Sequence, residues 1–336
     1  MFYFIINPKS QSGKSLELWK KIKQELETKK AVCSYVKSVA QVGISQTTSK
    51  EYQKICPEYR YVYSRYPGHI TEIMKRLTAS LQPKHIIVVG GDGSFNEAVN
   101  GLRNSHIHKL SFFPAGSAND LSKSLGLPEN AALLLARILE YSDKPGTQMD
   151  IGTVSFSQNG RTRKRCFAVS SGVGLDAAIC QNMNTSRMKQ LFNRIHLGSI
   201  AYLIIGIKQL FYWKPQRAFL WIDNARQPLR LERFLFMSAH IHPYEGGGFP
   251  FCPRADYQDG KLDLCIVSGL PFRKIFPLIP LAKQGRHVGK DGVLNLRCKK
   301  VRIVLEHPVF VHTDGEIPVK SKEFTFKTKD TRYSFL

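Results

Sequence analysis

The segment that most constrains this chain is Val88-Val89-Gly90-Gly91-Asp92-Gly93-Ser94-Phe95-Asn96-Glu97. The β-branched run from His85 to Val89 reads as a strand buried on both faces, as in a parallel sheet. It turns through glycines and an acid straight into a helical pattern. Glycine permits positive φ and lets a phosphate approach the backbone closely. The helix N-terminus that follows offers free N–H groups and a favourable dipole to an anion. Asp92 in such a turn is placed to hold Mg2+ against phosphate oxygens. Ser94 serves equally as a plain helix cap or as a phosphate contact, so the loop has to be read with its neighbours.

A second loop of this kind is Pro114-Ala115-Gly116-Ser117-Ala118-Asn119-Asp120, which also leaves a strand and opens a helix. Ligands of open α/β sheets bind outside the carboxyl ends of the strands, so two such loops in succession strengthen each other. A third, Asn7-Pro8-Lys9-Ser10-Gln11-Ser12-Gly13-Lys14-Ser15, ends like a P-loop. The first glycine of G-x-x-x-x-G-K-[ST] would fall on Pro8, which lacks the N–H that a phosphate cradle needs. A P-loop NTPase is therefore excluded.

Around these loops, strands expected at 2–6, 31–36, 85–89 and 110–113 alternate with helices at 15–29, 67–81 and 95–102, which predicts a parallel α/β sheet. From about residue 147 strand-like segments crowd together, at 149–156, 165–171, 217–222, 229–239, 262–267, 299–305 and 322–328. Helices are expected only near 176–212 and 271–284. The reading is an α/β domain over 1–146 and a mostly antiparallel β domain over 147–320. Asn159-Gly160 marks a hairpin.

Lys and Arg number 49 against 26 Asp and Glu, a formal +23. That excess implies an anionic partner: nucleic acid, an anionic membrane or phosphorylated substrates. The basic clusters are spread over both domains, and no nucleic-acid-binding module is present, which argues against nucleic acid. Basic residues near an anionic bilayer contribute roughly 1 kcal/mol each. Phe272-Arg273-Lys274-Ile275-Phe276 and the apolar stretch 195–213 suit shallow insertion. That stretch is interrupted by His196, Lys208 and Gln209, whereas a membrane span needs about 20 mostly apolar residues. The seven cysteines have no C-x-x-C and irregular spacing. With no signal-type N-terminus, they indicate a reduced, cytoplasmic protein, which the basic clusters would hold peripherally at membranes. Two histidine pairs, His106/His108 and His240/His242, lack the third ligand that a metal site needs.

The three loops together resemble those of the diacylglycerol kinase catalytic family, which includes YegS-like lipid kinases and sphingosine kinases. Further resemblances follow in the family's order: Arg65-Tyr66-Pro67-Gly68-His69, Met149-Asp150-Ile151-Gly152, Gly172-Val173-Gly174-Leu175-Asp176-Ala177, Gly246-Gly247-Gly248, Asp259-Gly260-Lys261-Leu262-Asp263 and Thr313-Asp314-Gly315-Glu316. Gln11 stands where the family commonly has glycine, and Ser94 and Ser117 where it has threonine.

The resemblance implies an NAD kinase- and phosphofructokinase-like nucleotide domain, a C-terminal β-sandwich, a site in the cleft between them, and a C-terminal return to the first domain from about 321 to 336. It implies ATP and Mg2+ as cofactors and a membrane lipid hydroxyl as acceptor, with diacylglycerol the default. A sphingosine- or ceramide-type alcohol is the alternative. It gives Asp314 the role of general base, Glu316 a supporting role and Asp92 the Mg2+–ATP. Asn7, Ser64, Gly90, Gly91, Gly93, Ser94, Glu97, Gly116, Ser117, Asn119 and Asp120 would bind the nucleotide, and Asp176 would face the lipid headgroup. A structural Mg2+ would bind Asp259, with backbone carbonyls from Asp256, Lys261 and Leu262. A homodimer is compatible with all of this. The rival readings are an NAD kinase-like enzyme with a soluble acceptor, and a non-catalytic basic membrane-binding module.

Overall fold

A computed structural model describes residues 1–40, 58–158, 160–185, 206 and 208–335. The chain divides into two units. One comprises Met1–Gly116, Gly126–Gln148 and Tyr333–Leu336, the other Ser117–Leu125 and Met149–Arg332.

The first unit is built on a six-stranded sheet. Its strands are β1 (Phe2–Ile6), β2 (Tyr59–Tyr63), β3 (His85–Gly90), β4 (Lys109–Pro114), β5 (Thr147–Met149) and β16 (Tyr333–Phe335), ordered β2-β1-β3-β4-β16-β5. The ladders β1–β2, β1–β3, β3–β4 and β4–β16 are parallel. Ile86 to Val89 have no exposed surface, as the unbroken apolar run predicts for a strand covered on both faces. Helix α1 (Lys14–Ala40) lays Trp19, Ile22 and Leu26 on Phe4, Ile6, Ile87 and Val89. Leu134, Leu135 and Ile138 of α5 (Ala131–Glu140) join the same layer. The strand expected at 31–36 is instead the continuation of α1. Once a helix is nucleated, each further residue adds a hydrogen bond, and this outweighs the weak β preference of Val32, Tyr35 and Val36. Helices α2 (His69–Leu77) and α3 (Asp92–Gly101) touch closely, for a Cβ on Gly101 would lie 2.4 Å from the Thr71 carbonyl oxygen.

The second unit is a β-sandwich. Its central path runs β13 (Val293–Cys298), β12 (Leu262–Val267), β11 (Phe236–His240), β8 (Ser170–Gly174), β14 (Lys300–Thr313), β15 (Glu316–Thr328), β6 (Gly152–Gln158), β7 (Arg161–Phe167). Strands β9 (Gln216–Ile222) and β10 (Leu229–Phe234) branch off β14. The ladders joining these strands are antiparallel. The β14–β15 register shifts between Val304 and Val309, around Pro308, whose missing N–H suits a bulge. The bend lets β14 pair with β9 before it and β8 after it. Inward residues such as Phe167, Phe234, Val301, Phe324 and Phe326 fill the core.

Strand β15 belongs wholly to this sheet, so the return expected from about residue 321 is confined to Tyr333–Phe335. Pairing with β6 over Phe324–Thr328 holds the intervening residues in the second unit. β7, at the end of the path, carries the run Arg161-Thr162-Arg163-Lys164-Arg165, mostly exposed. Charge on an edge strand prevents pairing with another chain, so part of the basic excess has a structural reason. Two short helices, α7 (Phe272–Ile275) and α8 (Leu278–Lys283), follow β12, and α6 (Leu175–Thr185) follows β8. Most of the apolar stretch 195–213 lies outside the described residues. Among those described, no helix is long and apolar enough to cross a membrane.

Candidate active site

In the first unit the three loops leave the same edge of the parallel sheet, because Ile6 stands beside Val89 and Gly90 beside Pro114 in register. They are bonded to one another. Asn7 donates its amide to the Val89 carbonyl (3.0 Å) and its Nδ2 to Ser94 Oγ (2.9 Å). Ser10 Oγ donates to the Ala115 carbonyl (2.7 Å), and the Ala115 amide to the Gly90 carbonyl (2.6 Å). Ser64 is buried and donates its amide to Ile6. The glycines are required by space. A Cβ on Gly90 would lie 2.5 Å from Ser94 Oγ, and one on Gly91 3.0 Å from Gly116 Cα. Gln11, Ser12 and Gly13 lie consecutively at positive φ, so Gln11 occupies a left-handed position where glycine would be unstrained.

Gly91 is the N-cap of α3, and Asp92 and Gly93 form its first turn. An acid there is favoured by the dipole, and the neighbouring amides favour phosphate. Glu97 has a structural task. Its carboxylate accepts the amides of Gly68 (2.8 Å) and Ile70 (3.1 Å), capping α2 and fixing the Arg65–His69 segment. Residues Ser117, Asn119 and Asp120 belong to the second unit. Asn119 is left-handed, Ser117 is exposed, and Asp120 opens α4 (Asp120–Ser124). Asp120 accepts the Gly247 amide (3.0 Å), and burial pushes its carboxyl pKa up against the pull of that amide and Lys123. Gly246, Gly247 and Gly248 are all left-handed, and Lys283 Nζ donates to the Gly247 carbonyl.

Asp314, at φ 49°, sits in the turn between β14 and β15. Its Oδ1 accepts the amides of Val169 (2.8 Å) and Ser170 (3.0 Å), and its Oδ2 that of Ala168 (2.8 Å). Three backbone donors hold this carboxylate in one orientation. Glu316 is exposed at the start of β15.

Close by in the chain, His312 anchors a buried ionic network. Its Nε2 is 2.7 Å from Asp176 Oδ2 and 2.9 Å from Glu245 Oε1. His240 Nε2 is 3.1 Å from Glu245 Oε2, which also accepts Ser238 Oγ (2.6 Å). Burial pulls the His312 pKa down, but Asp176, Cys180 and Glu245 overcome it and hold it well above the usual value. Burial raises Glu245, yet His312 and His240 bring it well below its usual value. Burial and Glu245 leave Asp176 raised. Gly172 makes the room: a Cβ there would be 1.9 Å from Asp176 Oδ2 and 2.6 Å from His312 Nε2. The second glycine of this motif, Gly174, is left-handed against the Leu235 carbonyl. The sequence reading found Asp176 but missed His312 and Glu245. The signal available was the place of His312 two residues before Asp314 and of Glu245 directly before the glycine triplet.

The Asp259 turn differs from a plain metal loop. Asp259 Oδ1 accepts the Lys261 amide (2.9 Å), Asp256 Oδ1 accepts the Gln258 amide (2.9 Å), and Leu262 is buried in β12. Asp259 Oδ2 lies 3.4 Å from Arg297 Nη1. A cationic side chain thus stands beside this carboxylate.

Comparison with known proteins agrees with this geometry. The diacylglycerol kinase catalytic domain profile matches residues 40–154, and the YegS C-terminal NAD kinase β-sandwich-like domain profile matches residues 168–322. A Bacillus subtilis protein named "Putative lipid kinase YtlR" is 27% identical over 320 residues, 94% of this chain and 93% of its own. A diacylglycerol kinase of Mycobacterium tuberculosis is 28% identical over 232 residues, 69% of this chain and 70% of its own. The crystal structure of a diacylglycerol kinase from Bacillus anthracis shares the fold with a TM-score of 0.68 at 19% identity, covering 99% of this chain and 96% of the other. Two family domains in the expected order, on a parallel nucleotide-type sheet followed by a β-sandwich, make this chain a member of the diacylglycerol kinase and YegS-like family of lipid kinases.

Proposed function

We propose that the protein transfers the γ-phosphoryl group of ATP to the hydroxyl of a membrane lipid, with diacylglycerol as the acceptor and phosphatidic acid as the product. The observation that carries this reading is the set of three mutually bonded loops at one sheet edge, with Asp92 at the mouth of α3. Asn7, Gly91 and Gly93 are partly exposed over the buried Gly90, Ser94 and Gly116, and the glycines leave room for phosphates beside the start of α3. Ser117, Asn119 and Asp120 extend the same loop in sequence, while Ser64 is tied to the end of β1 and Glu97 caps α2. Asp92 would hold Mg2+, which when bound offsets charge on the phosphate oxygens.

Asp314 receives the acceptor hydroxyl. Phosphoryl transfer through a loose transition state asks mainly for positioning and little early proton removal, which a carboxylate fixed by three amides supplies. Glu316, two residues on, supports it. Asp176, held by His312, faces the headgroup.

The protein would bind the bilayer peripherally. Phe211 and Tyr212 are 66% and 72% exposed, and Phe211 packs on Phe272 and Phe276. Lys208, Lys214, Arg273 and Lys274 are neighbours of these rings in sequence, the pairing of aromatic and basic groups that favours an anionic interface. The test is to incubate the protein with ATP, Mg2+ and a total lipid extract and to identify phosphorylated lipids by mass spectrometry. Transfer to diacylglycerol supports the assignment, transfer to a sphingoid base or ceramide replaces the acceptor, and no lipid product overturns it.

A further inference from the structure

The acidic turn at Asp256–Asp263 carries its own cation. Arg297 on β13 stands directly opposite Asp263 on β12 in the ladder. Its Nε donates to both Asp263 oxygens (3.2 Å each), and its Nη2 donates to Asp263 Oδ1 (3.2 Å) and to the carbonyl of Arg254 (2.7 Å). Nη1 reaches Asp259 Oδ2 at 3.4 Å. One planar guanidinium thus gathers two carboxylates and a carbonyl from three points of the chain. The Asp259 and Asp263 side chains are only 21% and 15% exposed.

A hard divalent cation asks for the same oxygens, at about 2.0–2.6 Å. A guanidinium takes them with fixed fork geometry and is weakly hydrated, so little hydration is lost on docking. Neighbouring groups of the turn are also bonded within the protein. Asp150 Oδ2 accepts the Gly260 amide (2.6 Å), and its Oδ1 accepts Arg332 Nε (2.7 Å). Arg332 Nη2 donates to the Gln258 carbonyl (2.5 Å), and Thr328 Oγ1 donates to the Gly260 carbonyl (3.0 Å). Two arginines therefore bind the turn, Arg297 at Asp259 and Asp263 and Arg332 at the Gln258 carbonyl, and the Gly260 carbonyl accepts Thr328.

We propose that Arg297 fills the cation position of this turn, so that the second unit folds and holds its Asp256–Asp263 loop without a divalent metal. The inference stands apart from the kinase assignment, because its readout is stability in the absence of nucleotide. Without nucleotide, EDTA and millimolar Mg2+ leave the melting temperature of the full-length protein unchanged, and Asp259→Asn does not alter that indifference. Arg297→Ala leaves two carboxylates facing one another. It melts lower, and millimolar Mg2+, Mn2+ or Ca2+ raises it by about 5 °C if the ion reaches a hundredfold its dissociation constant. Adding Asp259→Asn to Arg297→Ala abolishes that rescue.

A wild-type protein that loses several degrees in EDTA, with the loss absent in Asp259→Asn, overturns the proposal. So does an Arg297→Ala protein that folds but gains no response to any divalent ion. Should Arg297→Ala fail to fold, the wild-type and Asp259→Asn comparison in EDTA decides alone.

Discussion

Replacing Asp314 by Asn separates two tasks of one carboxylate. Asparagine tolerates the left-handed φ of 49°, so the backbone is not disturbed. Its Oδ1 keeps the amides of Val169 and Ser170, but the new Nδ2 turns two hydrogens toward the Ala168 amide, which now loses its acceptor. Ala168 is 1% exposed, so water does not replace that acceptor. An orphaned buried amide costs about 1–3 kcal/mol, and each remaining bond weakens by about 1 kcal/mol on losing the charge. The sum is about 3–5 kcal/mol, or roughly 6–20 °C in melting temperature for a unit of this size. The assay is urea unfolding at neutral pH, followed by kinase turnover at a temperature where the variant is fully folded. A lowered midpoint together with lost turnover fits both tasks. An unchanged midpoint refutes the amide cradle, and undiminished turnover of the folded variant refutes the proposed role toward the acceptor hydroxyl.

Other expectations follow from the same contacts. Gly172→Ala drives a methyl into the Asp176–His312 pair and costs about 3–5 kcal/mol, as breaking a buried pair does, so a urea midpoint within error of wild type would contradict the packing. His312 binds its proton more tightly when folded, so its stabilisation is complete below its ordinary value of 6.5 and is lost as pH rises through the raised folded value. Glu245 has the opposite sign, contributing above its ordinary 4.5 and losing that contribution on acidification, whereas Asp176 penalises stability once ionised above its ordinary 3.8. Stability should therefore fall on the alkaline side by up to about 1.4 kcal/mol per pH unit, a slope that His312→Gln removes. Gln11→Gly relieves one left-handed residue and should stabilise by about 0.5–1 kcal/mol, readable as a raised urea midpoint.

The legible parts of this fold are those where a residue type has a single physical use. The apolar run Ile86–Val89 demanded a doubly covered strand, and the glycines at 90 and 91 mark places where a side chain would strike Ser94 or the facing loop. The carboxylates were less legible, because what they do depends on partners far along the chain. Asp314 takes its amides from 168–170, and Glu97 takes its own from 68 and 70. The His312–Glu245–Asp176 network joins a strand, a loop and a helix that periodicity alone does not bring together. Cooperative extension of α1 overrode the strand-like 31–36, and the short edge strand Val293–Cys298, where Asn295 and Arg297 interrupt the apolar residues, does not read as a strand in the sequence. Arg297 read only as one more basic residue of a cluster, although its place opposite Asp263 gives it a specific partner.

The most direct test of the central claim is transfer of isotope-labelled γ-phosphate from ATP to a mixed lipid extract, measured with the wild-type protein and with Asp92→Asn. The account predicts label in a single class of lipid alcohol, dependent on Mg2+ and lost in the variant. Label in no lipid at all, or in a soluble acceptor such as NAD alone, would contradict it.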